Sequence, residues 1–478
     1  MVLGPLLSAA RGFYGEVFTH LHPLFWVYVP YWTLIISALC LSPLTVLLPQ
    51  YLKGELRNPF RKLEEPDVWI VHGKKYNLRP FMKIHPGGEF VLRAGRGSDI
   101  TGLFESYHIF IDREVLLKTL DRYEIVEEGG KKEPLAVPAD PFHEDLKLMV
   151  KEHFKGQPKG SHKMTSSHLA LCGACYAMLL YLTYVMLTQD AKWTIPLIGF
   201  CGWYLTGNVM HDASHNAFVT NPRLNRAASY MGFPWCLNIS SWHIQHVVSH
   251  HCHTNGEEDV DLYHFNPLII LQKGVGSVHE ALHYLRLGFL CSTVYPHLSI
   301  VVPYGLLVGQ VDPAHGHRMY DQFSASEAYR KNLRADIGLE TLCLFLYFCL
   351  TGYMQGFAKG LCFYMSCMVV CSYLFSFFTQ VSHLQEECFL DEKERAKLTF
   401  MKNQAATSMD FSADSAFWGH VSGGLNTQAI HHCLPPISAM HLRSMYPKFR
   451  QVCKKHGVEL KEAKSLSAFV WGFIQVAN

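Results

Sequence analysis

Six stretches of this chain, 24–49, 168–189, 193–210, 287–311, 341–358 and 360–385, contain no Asp, Glu, Lys or Arg. A helix needs about 20 apolar residues to cross the hydrocarbon core of a bilayer. These runs match that length, and they are too long and too uniform for the strands of a membrane barrel. Six buried helices of this kind in one soluble core is a poor alternative. Lys53, Arg57, Arg61 and Lys62 follow the first run and only Arg11 precedes it, which places the residues after 50 in the cytosol and the extreme N-terminus in the lumen. The second and third runs then form one hairpin, and the fifth and sixth, split by Lys359, form another. The fourth carries Pro296, His297 and Pro303. A single crossing there puts the histidines on its two sides on opposite faces of the membrane, so it reads as interfacial or re-entrant. The pattern predicts five crossings: an N-terminal anchor and two hairpins.

Composition narrows the class. The 478 residues allow about three domains. Charged residues make up 17%, against about 25% in a typical soluble domain, and hydrophobic residues 49%. That excludes a disordered scaffold or an acidic-tail protein. A net charge of +2, from 42 basic and 40 acidic groups, gives no field for a nucleic acid. The 15 cysteines lie largely inside apolar runs, Cys172 and Cys175 among them, and read as buried thiols rather than a disulfide framework or a redox pair. The first apolar run is too long for a cleaved secretory signal. Histidine is the outlier, with 28 residues, many of them bunched.

Between 60 and 128 the composition turns soluble. Val68 to Val71, His72-Gly73 and Lys74 to Leu78 read as strand, turn, strand. His85-Pro86-Gly87-Gly88 follows, then Gly97, Asp99, Phe104 and His108. Two histidines on separate loops can hold a flat iron macrocycle from both faces, which leaves no open position and suits one-electron transfer. The order of hydrophobic strand, Tyr76, Phe81, H-P-G-G, G-x-D and F-x-x-x-H resembles cytochrome b5. That resemblance implies haem b held by His85 and His108. Ile109 departs from the small polar residue common after the second histidine. Glu89, Asp99 and Glu105 lie near this site and read either as an acidic docking face or as solvated surface. Residues 129–145, rich in Gly, Pro and charge, read as a tether.

Further on, His211 and His215 stand at i, i+4 directly after the third run, a spacing that puts both rings on one helix face. Five histidines fall between 243 and 253, including the H-x-x-x-H-H of His246, His250 and His251. His383 lies at the end of the sixth run, and Gln428 precedes His431 by three and His432 by four. Clusters at ligand spacing, each beside an apolar run on the predicted cytosolic side, indicate metal. Imidazole suits iron, copper and zinc. Eight or more candidates exceed the four ligands of one zinc and suit two ions. The interleaved carboxylates of soluble di-iron bundles are absent. An all-nitrogen site with two irons, fed by a haem carrier in the same chain, points to oxygen activation at an unactivated C–H bond.

The boxes H-D-A-S-H at 211–215, Q-H-V-V-S-H-H at 245–251, V-S-H at 381–383 and G-G-L-N-T-Q-A-I-H-H-C-L-P at 423–435 resemble those of membrane fatty-acid desaturases, specifically the front-end type fused to an N-terminal cytochrome b5. The resemblance covers about residues 60–450. It implies an α+β haem-binding domain plus an all-α membrane domain of four transmembrane helices with a cytosolic di-iron cap. Here an extra N-terminal transmembrane helix precedes them. The implied division is an N-terminal segment at 1–59, a haem domain at 60–128, a linker at 129–145, a desaturase domain at 146–450 and a C-terminal tail at 451–478. Carried over by position, His211, His215, His246, His250, His251, His383, His431 and His432 are iron ligands, with Gln428 a weak ligand or a neighbour that orients one. His243 and His253 stay undecided. The family further implies a fatty acyl substrate carried on CoA or phospholipid, and electrons from NADH through cytochrome b5 reductase. It implies the endoplasmic reticulum membrane, with haem and boxes facing the cytosol, and a cis double bond placed between an existing one and the carboxyl end. Two departures stand out: the span at 24–49, and Ala429-Ile430 where a Glu commonly precedes the paired histidines. A lipid hydroxylase, a sphingoid-base desaturase and a non-catalytic membrane cytochrome b5 are the rival readings.

Overall fold

The computed structural model describes residues 68–126, 140–264, 283–308 and 327–476, together with Leu135 and Val137. The anchor expected at 24–49 and most of the tether lie outside the described residues.

The hairpin of the first domain forms as the pattern predicts. Trp69–Val71 pairs antiparallel with Lys74–Tyr76, with Trp69 opposite Tyr76. His72 and Gly73 both take positive φ, at 47° and 77°, the conformation a two-residue hairpin turn requires. Helices Glu89–Ala94, Thr101–Tyr107 and Arg113–Asp121 pack on it. Trp69, Val71, Tyr76, Leu92 and Phe104 form its small core, and the Trp69 indole N–H donates to the Leu92 carbonyl at 2.7 Å.

Four described helices are long and apolar enough to cross a membrane: Ser166–Gln189, Leu287–Leu307, Tyr329–Gln355 and Phe357–Gln380. Their most apolar windows are buried to 28%, 72%, 22% and 61% respectively, so the first and third are the outer helices and the other two the inner ones. Outer faces carry large exposed side chains such as Tyr181, Tyr184, Phe345 and Tyr353, as lipid contact requires. The structure differs from the sequence reading in two of the runs. Residues 283–308, read as interfacial or re-entrant, form one helical rod, with Pro296 and Pro303 absorbed beside a π-helical stretch at His297–Val301. The third run, helical from Ile195 through the 206–211 π turn, is built for close packing instead of lipid. A Cβ on Gly199 would fall 2.5 Å from Val370 and 2.9 Å from the Cys367 carbonyl.

The remaining segments form a cap on one end of the bundle. Glu327–Gln355 has 29 residues, about 44 Å of helix against a hydrocarbon core of about 30 Å, so its first turns stand in the cap. There Asp336 accepts from Arg226 at 2.6 Å, from Tyr230 at 2.5 Å and from Ser240. Pro141–His153, capped by Asp140, packs Phe142, Leu146 and Val150 against Leu442, Tyr446 and Phe449 of Ala439–Lys455. The segment read as a C-terminal tail folds back. Lys461–Glu462 pairs with Met409–Asp410, and Phe469 and Phe473 enter the core. None of the 14 described cysteines is in a disulfide.

Gly423 and Gly424 turn the chain into the last histidine box at φ of 68° and 81°. A Cβ on Gly423 would sit 2.6 Å from the Gly207 carbonyl oxygen, on the π turn that carries His211. Gly423→Ala therefore meets both a backbone overlap and a left-handed conformation. It should cost more than about 1 kcal/mol, read as a lower unfolding temperature of the detergent-purified chain. An unchanged midpoint would contradict this packing.

Candidate metal centre

Each histidine box reaches the centre from a different element. His211 ends the π-helical Thr206–His211, and His215 closes the short helix after it. His246, His250 and His251 lie on and just beyond the π-helical His243–His250. Bonds from i to i+5 bring His251 over His246, which an α-helix would splay apart. His383 follows the π-helical Ser376–Gln380, and Gln428–Cys433 carries Gln428, His431 and His432. That short helix is held at its start by Asp410, which accepts from the Ala429 N–H at 2.9 Å and from the Tyr446 hydroxyl.

The eight histidines of the sequence reading meet as two buried groups. His211, His215, His246, His251 and His431 form one, and His250, His383 and His432 the other. In the first, Nε2 of His246 lies 3.1 Å from Nε2 of His211, 3.1 Å from that of His215 and 3.2 Å from that of His251. In the second, Nε2 of His383 lies 3.2 Å from that of His250 and 3.1 Å from that of His432. Gln428 places its amide 2.8 Å from His383. Its carbonyl oxygen has no partner, and exchanging the two amide ends turns that oxygen toward the histidines.

Between neutral His250 and His383 the contact is not a hydrogen bond. Nδ1 of His250 faces the Asp259 carboxylate at 2.9 Å, and Nδ1 of His383 faces the Thr407 carbonyl at 3.2 Å. Both partners only accept, so each Nδ1 carries a proton, and in the neutral ring each Nε2 is then a bare lone pair. Two lone pairs 3.2 Å apart in a buried site repel. A cation between them removes the repulsion, and 3.1–3.2 Å is the spacing of two ligand atoms that each sit about 2.0–2.1 Å from one ion. His211 Nδ1, His251 Nδ1 and His431 Nε2 are likewise buried without a hydrogen-bond partner. The residues present therefore fit metal. Burial and mutual crowding hold His215, His246, His251, His431 and His432 well below the ordinary imidazole range, hence neutral. His250 is raised, because Asp259 and Asp261 outweigh its burial.

The haem site fits as well. The His85 and His108 rings face each other with centroids 6.2 Å apart, room for one metal atom between two nitrogens. Nδ1 of His85 lies 3.2 Å from the Gly88 carbonyl and that of His108 2.8 Å from the Phe104 carbonyl, which frees both Nε2 atoms for a shared ion. Both histidines line an apolar cavity of about 480 Å³. Burial lowers His85 to about 4, so its ring is neutral at pH 7.

Glu105 corrects the sequence reading. It belongs to no acidic docking face: it is buried, paired with His72 at 2.6 Å, Arg113 at 2.9 Å and His143 of the cap at 3.3 Å. Glu89 pairs with Arg93. Of the undecided histidines, His243 lines the haem cavity and His253 stands outside both histidine groups. Sequence reasoning missed Asp259 and Tyr107, whose hydroxyl lies 2.5 Å from Nδ1 of His215. The D-V-D at 259–261, nine residues past His250, was the available signal for Asp259. A small cavity of about 20 Å³, room for about one water, touches His246, His250, His383 and Gln428 from the apolar side, between Trp242, Phe375 and Leu425.

A nitrogen-lined metal centre at the end of a membrane bundle, with a haem-binding domain docked beside it, defines a haem-fed membrane oxidoreductase. The chain belongs to the fatty acid desaturase family, whose profile matches residues 191–464, and a cytochrome b5-like heme/steroid binding domain matches residues 58–156. It is similar to the acyl-lipid omega-13 desaturase of Chlamydomonas reinhardtii, 26% identical over 448 residues that cover 85% of this chain and 92% of the relative. It is also similar to the acyl-lipid (8-3)-desaturase B of Dictyostelium discoideum, 27% identical over 431 residues (83% and 87%). The Delta(5) fatty acid desaturase A of the same organism is 25% identical over 426 residues (82% and 86%). The protein is thus a membrane oxidoreductase of fatty acyl chains that uses haem and non-haem iron.

Asp259→Asn replaces an acceptor that fixes the His250 ring. It should weaken non-haem iron binding about 10–100-fold in titrations of metal-stripped protein, while the haem spectrum stays unchanged. His250→Ala should abolish product, again with haem intact. Parent affinity in the first variant or full turnover in the second contradicts this ligand geometry.

Proposed function

We infer that the chain is a front-end fatty acyl desaturase that places a cis double bond between an existing one and the carboxyl end of a polyunsaturated chain. The observation that carries this reading is the meeting of two histidine groups beside the small cavity between Trp242, Phe375 and Leu425, with a haem-binding domain docked against them at His215. Two irons would be held in these groups, one by His211, His215, His246, His251 and His431, the other by His250, His383 and His432 with Gln428. Haem b would be held by His85 and His108. When bound, the irons supply reduction of O2 and removal of two hydrogens from adjacent acyl carbons. The chain's own residues do the rest. Asp259, the Thr407 carbonyl and Gln404, whose Oε1 lies 3.0 Å from Nδ1 of His432, orient the imidazoles, and Trp242, Phe375 and Leu425 exclude water from the apolar side of the centre.

The division into a haem domain at 60–128, a linker at 129–145 and a desaturase domain from 146 is retained. Topology follows from parity. His250 and His383 meet, so the chain between them crosses the membrane an even number of times. The hairpin of Tyr329–Gln355 and Phe357–Gln380 supplies two crossings, which supports a packed, non-crossing role for 283–308. With the anchor at 24–49, the centre and haem face the cytosol at the endoplasmic reticulum, where an NADH-dependent cytochrome b5 reductase supplies electrons and the acyl group arrives on CoA or phospholipid. The front-end assignment draws on relatives named (8-3)- and Delta(5)-desaturases. The relative named for the omega-13 position counts from the other end, so the carbon itself is read by experiment.

The test is expression in a host without polyunsaturates, feeding of defined polyunsaturated acids, and location of new double bonds by mass spectrometry. The expected product has lost two hydrogens, with the new bond on the carboxyl side of an existing one. A product that has gained one oxygen, or a new bond only in sphingoid bases, contradicts the reading.

A further inference from the structure

One side chain of the haem domain reaches into the histidine centre. Thr101–Tyr107 ends on Tyr107, and the next residue is His108, assigned above to the haem. The Tyr107 hydroxyl lies 2.5 Å from Nδ1 of His215, and the two rings stack with 24° between their planes. Nε2 of His215 faces the converging nitrogens, 3.1 Å from that of His246. With Nε2 turned to a metal, a neutral imidazole carries its proton on Nδ1, so His215 donates to the phenol oxygen of Tyr107. His250, His383 and His432 find their outer partners within the desaturase part. His215 finds its partner on the haem domain.

The haem cavity opens toward the same place. Ser214, Asn216, His243 and Val247 of the desaturase part complete its wall, and Ser214 precedes His215 in the chain. His243 is 2% exposed, with both ring nitrogens unpartnered, and packs on Phe90 of the haem domain at 4.8 Å. The two surfaces fit closely. The Arg226 guanidinium lies 4.3 Å over Phe90, and a Cβ on Gly102 would fall 2.8 Å from the Cys252 sulfur.

We propose that Tyr107 is the bridge through which the haem domain passes electrons to the histidine centre. From His108 the route is covalent to Tyr107, crosses one hydrogen bond to His215 and ends at the metal that His215 holds. Tunnelling decays less steeply along bonds and a short hydrogen bond than across open space of equal length. Each passage moves one electron: ferrous haem iron is oxidised to ferric, and a ferric ion of the histidine centre is reduced to ferrous. No bond breaks, and Tyr107 and His215 keep their protons. The inference rests on the desaturase reading, in which the haem is the donor.

The test uses the full chain loaded with haem and non-haem iron, in parent form and as Tyr107→Phe, which keeps the ring and removes the oxygen. The haem is reduced anaerobically, and its reoxidation is followed by absorbance after mixing with oxygen and a polyunsaturated acyl-CoA. Tyr107→Phe, which replaces that hydrogen bond by a gap, should slow reoxidation well below the parent rate. Haem spectrum, haem content and non-haem iron content should equal those of the parent. Asp112→Ala, which removes an exposed contact with Lys151 across the same interface, should reoxidise at the parent rate. Parent-rate reoxidation in Tyr107→Phe overturns the bridge. Slowing that merely tracks lost iron also overturns it, since Tyr107 then only holds His215. A parent that reoxidises no faster than its form without non-haem iron overturns the bridge together with the desaturase reading beneath it.

Discussion

The structure depends on one electrostatic constraint: imidazole nitrogens buried 3.1–3.2 Å apart, which in the neutral rings of His250 and His383 are opposed lone pairs. An unmatched buried polar group costs about 1–3 kcal/mol, and here several face one another. Without a cation the arrangement pushes itself apart. With one, the same repulsion becomes coordination, and the acceptors behind the rings fix which nitrogen is offered. Asp259 behind His250 and the Thr407 carbonyl behind His383 are therefore as much part of the centre as the rings.

Much of the fold serves to bring those nitrogens together from distant parts of the chain. Three π-helical stretches, at 206–211, 243–250 and 376–380, lie at or just before the boxes. Their wider winding changes which side chains share a face and turns neighbouring histidines to one point. Glycines at 199, 423 and 424 let backbones approach where side chains would hold them off. Buried carboxylates brace the cap. Asp336 ties Arg226, Tyr230 and Ser240 to the long outer helix, and Asp410 anchors the start of the last box. The haem domain is seated on this cap through Glu105, Phe90 and Tyr107, which places its cavity against the segment that carries His215.

The candidate ligands were legible because histidine is costly to bunch without purpose and the boxes at 211–215, 245–251 and 428–432 are local, whereas the π winding that turns them to one point was not. The haem-domain hairpin was legible for the same reason, since strand and turn signals are short-range. What the sequence concealed depends on contacts between residues far apart in the chain. Tyr107 meets His215 across 108 positions, and Glu105 is drawn inward by His143 of the cap. A carboxylate's charge alone reads as surface, and only its partners reveal it as an interface. The membrane segments show the limit of hydropathy. It counts apolar residues but does not see that the glycines of 193–210 are made for helix contact, or that the prolines of 287–311 can be absorbed within a continuous rod.

Iron quantification on the full chain, purified with its haem, tests the account most directly. The lone-pair geometry predicts two non-haem irons for each haem, lost together when the histidine groups are disrupted. A single iron per chain, all of it in the porphyrin, would contradict it.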